Sequence, residues 1–390
     1  MVVVTADPSR AVAVIDLDAI AANFEHVGRI GVPVMAVVKA DAYGHGVDTV
    51  APWLRHHGAT WLGVALPSEA LHLRARGDRG RILAWLWAPG DPGVLDCVAS
   101  DVDLSISDGW ALAEVREAAK HTGRTARIHL KIDTGLSRNG VSATAWPELM
   151  QQVRTAQDDG HVEVVAIWSH LGSADIPGEQ RTQAQVEAFA VALGEAAAVG
   201  VQPQLRHLAN SAAALSRPDL AFDMVRSGIA LYGLTPGEGL GSARDLGLRP
   251  AMGLQARLAH VKALPAGAWV SYGNTWQAPT DTTMGLVPLG YADGIPRSAG
   301  NKVDVVVGER RCPIIGRVAM DQFVVDLGPE AEDRPGDPVR LFGGFADVAS
   351  QIPTADDWAQ RLDTIGYEIV TRIGGRVPRQ FTPRTQPAGQ

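Results

Sequence analysis

Cysteine is nearly missing from this 390-residue chain: Cys97 and Cys312 stand far apart, outside any CxxC or histidine-rich spacing. That excludes a disulfide framework and leaves no zinc-ligand pattern, so both read as small core residues and no metal is expected. Positive charge is not in excess either. Thirty-five Lys and Arg against 43 Asp and Glu give a net charge of −8, and no basic stripe offers itself to nucleic acid or an anionic membrane. The opening MVVVTADPSR lacks a basic start and carries too short an apolar stretch for a signal peptide, and no later run reaches the length of a membrane span. A cytoplasmic protein is expected. Hydrophobic residues at 46% and charged residues at 20% suit a globular chain, and the length suits one large α/β unit with a second domain.

From about residue 33 to 227, short β-branched runs alternate with longer Ala-, Leu- and Glu-rich stretches, the pattern of repeated βα units on a parallel sheet. The candidate strands are PVMAVVK (33–39), TWLGVA (60–65), RILAWLW (81–87), VDLSI (102–106), ARIHLKI (126–132), VEVVAIWS (162–169), PQLRHL (203–208) and FDMVR (222–226). Helical patterns such as 109–123 and 181–200 lie between them, the latter closed by a glycine. Eight such units predict a closed (β/α)8 TIM barrel. After Gly233 the texture changes: TPGEGLGSARDLGLRP reads as a linker, and the runs beyond it read as strands of a mostly-β domain. GEGLG superficially resembles a phosphate loop, but no strand precedes it and no helix follows, which favours the linker. The expected division is a barrel over residues 11–240 and a β domain over 241–385, with residues 1–10 adding a strand to the latter.

Chemistry in such a barrel sits at the carboxyl ends of the strands. The polar residues falling there are Lys39, Lys131, Asp133, Arg138, His170, Asn210, Ser211, Arg226 and Gly228. Each has a plain alternative: a rim lysine, a hydrogen-bonded histidine, half of an ion pair, a helix cap at Asn210 and Ser211, a mere turn at 227 and 228. Together they say more. A buried lysine with a depressed pKa can form an imine with an aldehyde, and a serine hydroxyl, a bare glycine N–H and a helix start after strands seven and eight form a usual phosphate site. An amine beside a phosphate site implies pyridoxal phosphate.

The stretches AVVKADAYGHG, HLKIDTGLSRNG, HLANSAA, MVRSGIALYG, VSYGNTW, PLGYADGIPR and GRVAMDQ occur in the order found in alanine racemases, running through both expected domains. The chain resembles an alanine racemase of the barrel-type pyridoxal-phosphate class. The resemblance implies a homodimer with shared active sites that interconverts L- and D-alanine for peptidoglycan, using pyridoxal 5'-phosphate. Lys39 would hold the cofactor as a Schiff base, and Tyr43, Ser211, Gly228, Ile229 and Tyr367 its phosphate, with Asn210 nearby. Arg226 would face the pyridine nitrogen without being able to protonate it. The two acid–base groups would be Lys39 and, from the partner chain, Tyr272, whose pKa neighbouring cations at His170 and Arg226 would lower. Read without the resemblance, Tyr272 is a strand aromatic beside a tight turn.

Arg138 would contact the cofactor's phenolic oxygen and the substrate carboxylate, and Lys131 would be carbamylated to fix it; the alternative is an unmodified Lys131 paired with Asp133. Met320 and Asp321 resemble the partner segment that meets the substrate carboxylate, and Tyr291, Arg297, Arg317 and Asp175 match the substrate entry corridor. Ala319 and Asn274 depart from the family's commoner cysteine and arginine. Other readings are a racemase of serine or another small amino acid, a barrel-type amino-acid decarboxylase, to which Arg226 in place of a glutamate is opposed, and a cofactor-carrying binding protein, which would lack the β domain.

Overall fold

The structure is a computed structural model and describes residues 10–344 and 352–382. Eight parallel strands, β2 (Val34–Val37), β3 (Trp61–Val64), β4 (Arg81–Ala84), β5 (Asp103–Ile106), β6 (Ala126–Lys131), β7 (Val162–Trp168), β8 (Leu205–His207) and β9 (Val225–Ser227), follow one another in a nearly closed barrel, with β9 returning beside β2. Backbone hydrogen bonds from Asp223 N to Arg206 O and from Arg226 N to Ala209 O bridge the remaining gap. Four of these strands are buried at every residue, as expected where helices cover one face and side chains fill the other. Helices Gly109–Thr122 and Gln180–Ala198 take the expected positions. The first is capped by the Asp108 side chain and ends at Gly123 in the left-handed region, φ 65°.

The remaining nine strands form one sheet of the second domain: β1 (Ala11–Asp16), β10 (Met252–Arg257), β11 (His260–Leu264), β12 (Thr282–Val287), β13 (Asp304–Val307), β14 (Arg310–Ile315), β15 (Phe323–Gly328), β16 (Pro338–Phe342) and β17 (Arg379–Thr382). Their order is β11-β12-β15-β14-β13-β16-β10-β1-β17. Strand β1 stands at the start of the segment assigned to the barrel, yet it pairs antiparallel with β10 and parallel with β17. AVAVID is as apolar as a barrel strand, so composition alone cannot say which sheet takes it. The further strand expected from residues 1–10 falls, apart from Arg10, outside the described residues. Among the described residues no helix is long and apolar enough to cross a membrane.

The stretch read as a linker also builds a wall. Thr235 N donates to Asp356, and Thr235 Oγ1 donates to Gly237 O and Gly241 O, drawing Pro236–Gly239 over the mouth of the barrel. A Cβ on Gly237 would come within 2.4 Å of the Asp175 side chain, and one on Gly239 within 2.5 Å of Asp175 O. The glycines are there because the two segments nearly touch.

Candidate active site

Directly after β2 the backbone does something its residues do not favour. Ala40, Asp41, Ala42 and Tyr43 all take φ between 52° and 55°, one turn of left-handed helix, which costs roughly 1–2 kcal/mol per L-residue. Several partners hold it. Glu69 accepts from Ala40 N, Asp41 Oδ1 accepts from Val47 N, and Arg379 Nε donates to Gly44 O. The fully buried His45 donates Nδ1–H toward Ala42 O and Tyr43 O at 3.1 and 3.0 Å. Burial pushes this histidine down to about 4, so it is neutral, and its ring lies 4.5 Å from that of Tyr232, which stacks in turn on Tyr43 at 4.8 Å. The turn presents Lys39 and Tyr43 to the same space.

That space is a cavity of about 760 Å³ at the carboxyl end of the barrel. Lys39, Tyr43, Arg138, His170, Asn210, Ser211, Arg226, Gly228, Ile229 and Tyr367 all line it, and Lys131 with them. Burial and the Arg138 charge lower the pKa of Lys39, opposed by Glu69. Its ammonium lies 5.7 Å from the Trp85 ring centre and 5.9 Å from that of Tyr43. At the other end Gly228 N donates to Ser211 Oγ at 2.9 Å, with Ser227 Oγ 3.4 Å beyond. A Cβ on Gly228 would lie 2.3 Å from the Tyr43 hydroxyl oxygen, so the absence of a side chain there is what lets that hydroxyl approach. Burial raises the pKa values of Tyr43 and Tyr367, and both stay protonated donors. Hydroxyls and a backbone N–H so gathered fit the oxygens of a phosphate, and a deprotonatable amine across the cavity fits an aldehyde.

Between the two ends lies Arg226, buried under five acceptors. Nη1 donates to His207 O and Nδ1; Nη2 donates to Ser169 O, Leu208 O and His170 Nδ1. Burial pushes its pKa down to about 9, yet a guanidinium so surrounded stays charged at neutral pH. His170 was expected to contribute a second cation. Burial and the Arg226 charge hold it far below the usual histidine value, so it is neutral; because Nδ1 accepts from Arg226, its proton is on Nε2. Lys131 is buried 4.4 Å over the Trp168 ring and is pushed down to about 8 by burial, with Arg226, Arg138 and Lys39 adding repulsion. Asp133, its alternative partner, accepts instead from Gly135 N and Ser137 N. Asn210 Oδ1 accepts from Ala213 N and so caps helix Ser211–Ser216.

The residue pattern and fold meet their match in known proteins. The family profile "Alanine racemase, N-terminal domain" covers residues 15–236 and "Alanine racemase, C-terminal domain" covers 251–381. The chain belongs to the alanine racemase family. It is 50% identical over 374 residues to the alanine racemase of Frankia casuarinae, covering 95% of this chain and 96% of that one. With the alanine racemase of Thermobifida fusca it shares 49% over 376 residues, 96% of this chain and 98% of the other. The crystal structure of alanine racemase from D-cycloserine-producing Streptomyces lavendulae superposes with a TM-score of 0.94 at 49% identity, covering 97% of this chain and 98% of that chain.

Four positions singled out for an alanine racemase site do not reach the cavity of their own chain. Tyr272 is 73% exposed at the tip of a turn, Met320 is 54% and Tyr291 45% exposed, and Asp321 pairs with Arg376 at 2.8 Å. Hydrogen bonds nevertheless tie these segments together: Tyr291 N donates to Ala319 O and Ala292 N to Met320 O, and the Ser271 hydroxyl donates to Arg317 O. Arg297 borders a cleft with Tyr291 and Arg372. The sequence reading overlooked Trp85, Trp168 and Glu69, and met Ser227 only as part of the Ser-Gly pair with a turn as its plain alternative. Trp85 and Trp168 stand at the carboxyl ends of their strands, so the rule that found Lys39 could have found them; it was applied to polar residues only.

Proposed function

We propose that the protein interconverts L- and D-alanine with pyridoxal 5'-phosphate held at Lys39, by two proton-transfer groups, Lys39 and Tyr272 of the partner subunit. The observation that carries this reading is the single cavity in which an amine of lowered pKa, a charged arginine and a phosphate-shaped cradle succeed one another. Bound there, the cofactor would supply the conjugated, electron-withdrawing system that acidifies an amino acid's α-carbon. Ser211, Gly228 and Tyr43 would hold its phosphate. Arg226 would donate to the pyridine nitrogen without yielding a proton, which restrains electron withdrawal and disfavours side reactions. Arg138 would take the substrate carboxylate, fixed by Lys131; an amine held near 8 has the neutral fraction that uptake of carbon dioxide requires.

A racemase needs a base and an acid on opposite faces of the α-carbon. Lys39 serves one face. The other would need a group from outside the chain, and Tyr272 of the partner subunit would supply it; the exposure of Tyr272, which keeps it out of its own chain's cavity, supports this reading. There the Nε2–H of neutral His170 would donate to the phenolic oxygen, and the Arg226 charge behind it would favour the phenolate. The reading entails a cytoplasmic homodimer supplying D-alanine to peptidoglycan.

The test is to incubate the cofactor-loaded enzyme with L-alanine and with L-serine and follow both D-enantiomers by chiral chromatography. Fast D-alanine formation with slow D-serine formation is expected. Dominant serine racemisation would retain the mechanism and replace the substrate, and no D-enantiomer from a loaded enzyme would sink the two-base reading. Lys39→Ala should abolish activity, and Tyr272→Phe should chiefly impair proton removal from the L-enantiomer.

A further inference from the structure

The barrel interior holds a row of polar groups that these proton transfers do not use. Asp103 on β5, His129 on β6 and His207 on β8 are all 0% exposed, in a space that barrels ordinarily fill with aliphatic side chains. His129 Nε2 lies 3.1 Å from Asp103 Oδ2, His129 Nδ1 lies 3.0 Å from His207 Nε2, and His207 Nδ1 lies 3.0 Å from Arg226 Nη1. The two ends of the row fix the protons between them. A guanidinium only donates and a carboxylate only accepts. Arg226 therefore donates to His207 Nδ1; His207 keeps its proton on Nε2 and donates to His129 Nδ1; His129 keeps its proton on Nε2 and donates to Asp103. Read from either end, the polarity is the same.

The carboxylate end is anchored at the opposite face of the barrel, where Arg81 Nη2 and Arg127 Nε donate to Asp103 at 2.5 and 2.7 Å. Burial alone would raise the Asp103 pKa, but the hydrogen bond from His129 and the charges of Arg81 and Arg127 hold it below the ordinary value. Burial keeps His129 and His207 neutral.

We infer that Asp103 and His129 are positioning residues for Arg226, acting through His207 from the far side of the barrel. The inference rests on the role proposed for Arg226. With the tautomers set by Asp103, His207 presents a lone pair to Nη1 and fixes the plane of the guanidinium, and with it the Nη2–H aimed at His170. Reversed tautomers would set N–H against N–H at Arg226, a buried conflict that only displacement of the guanidinium relieves.

Selective 15N-histidine labelling of the unmodified enzyme reads the tautomers without any assay of activity. At about pH 8, above the ordinary histidine value, His129 and His207 are expected as neutral rings protonated on Nε2. A proton on Nδ1 of either ring at that pH overturns the inference. The second arm is a double-mutant cycle. His129→Phe, which keeps a ring against Trp61, should lower kcat roughly 10-fold with little change in KM, and should have almost no effect in an Arg226→Lys background. Equal losses in both backgrounds would make His129 an ordinary core residue. If the enzyme racemises nothing, the proposed reaction fails while the tautomer measurement still decides the relay.

Discussion

A methyl group at Gly228 would lie 2.3 Å from the Tyr43 hydroxyl, and Tyr43 has nowhere to withdraw because Tyr232 stacks behind it. Gly228→Ala should therefore weaken pyridoxal phosphate binding at least about 10-fold, a difference of about 1.4 kcal/mol, read by fluorescence titration of the apoenzyme. Lys131 makes a pH-dependent prediction. Its pKa falls from 10.5 in the unfolded chain to about 8, so between those values the unfolded state binds more protons and stability rises with pH; below about 8 the full penalty of the buried ammonium applies. Lys131→Met should gain thermal stability over the unmodified apoenzyme below about pH 8, and the gain should shrink between 8 and 10.5. Equal pH slopes of the two melting curves would refute this. At this scale Lys39, Ser211 and Arg226 were legible because each polar type stands at a strand end where a rim residue is unremarkable only in isolation. The charge on His170 was not, because neutrality follows from burial beside Arg226, which no local motif encodes.

The barrel strands were readable because burial on both faces writes continuous apolar runs between helical patterns. The left-handed turn at 40–43 was unreadable for the opposite reason. ADAY offers residues at home in a right-handed helix, and only partners distant in sequence, Glu69 and Arg379 among them, hold it otherwise. His45→Ala removes the Nδ1–H and the ring that packs on Tyr232, and should destabilise the protein by about 2–3 kcal/mol. Ala40→Gly, at an exposed position with φ 52°, should by contrast leave the thermal midpoint unchanged or raise it, since relief of the left-handed conformation offsets the entropy that glycine adds to the unfolded chain. Differential scanning calorimetry of the two variants checks both signs.

For the whole molecule, the decisive separation is between Lys39 in the cavity and Tyr272 exposed on the β domain. If each active site joins one of each from different protomers, two variants that each fail to convert L-alanine should rescue one another in that direction. Lys39→Ala and Tyr272→Phe chains, refolded together, pair at random so that half the dimers are mixed, and each mixed dimer has one intact site of two. About one quarter of the unmodified activity should return, and none should return if each chain supplies both groups to itself. The two-part layout was legible from the change in texture after Gly233; the sheet membership of β1 was not, since a strand's partners lie outside its own sequence.

That first strand carries a cost in time. Its neighbours β10 and β17 are separated from it by the whole barrel, beginning with the 235 residues from Leu17 to Ala251 that precede β10. At roughly 5–20 residues per second, a ribosome takes roughly 12–47 seconds to cover that distance, and longer to reach Arg379. Throughout that interval AVAVID has both edges open while the barrel forms downstream of it. During synthesis, then, this strand precedes by many seconds the residues that will enclose it on both sides.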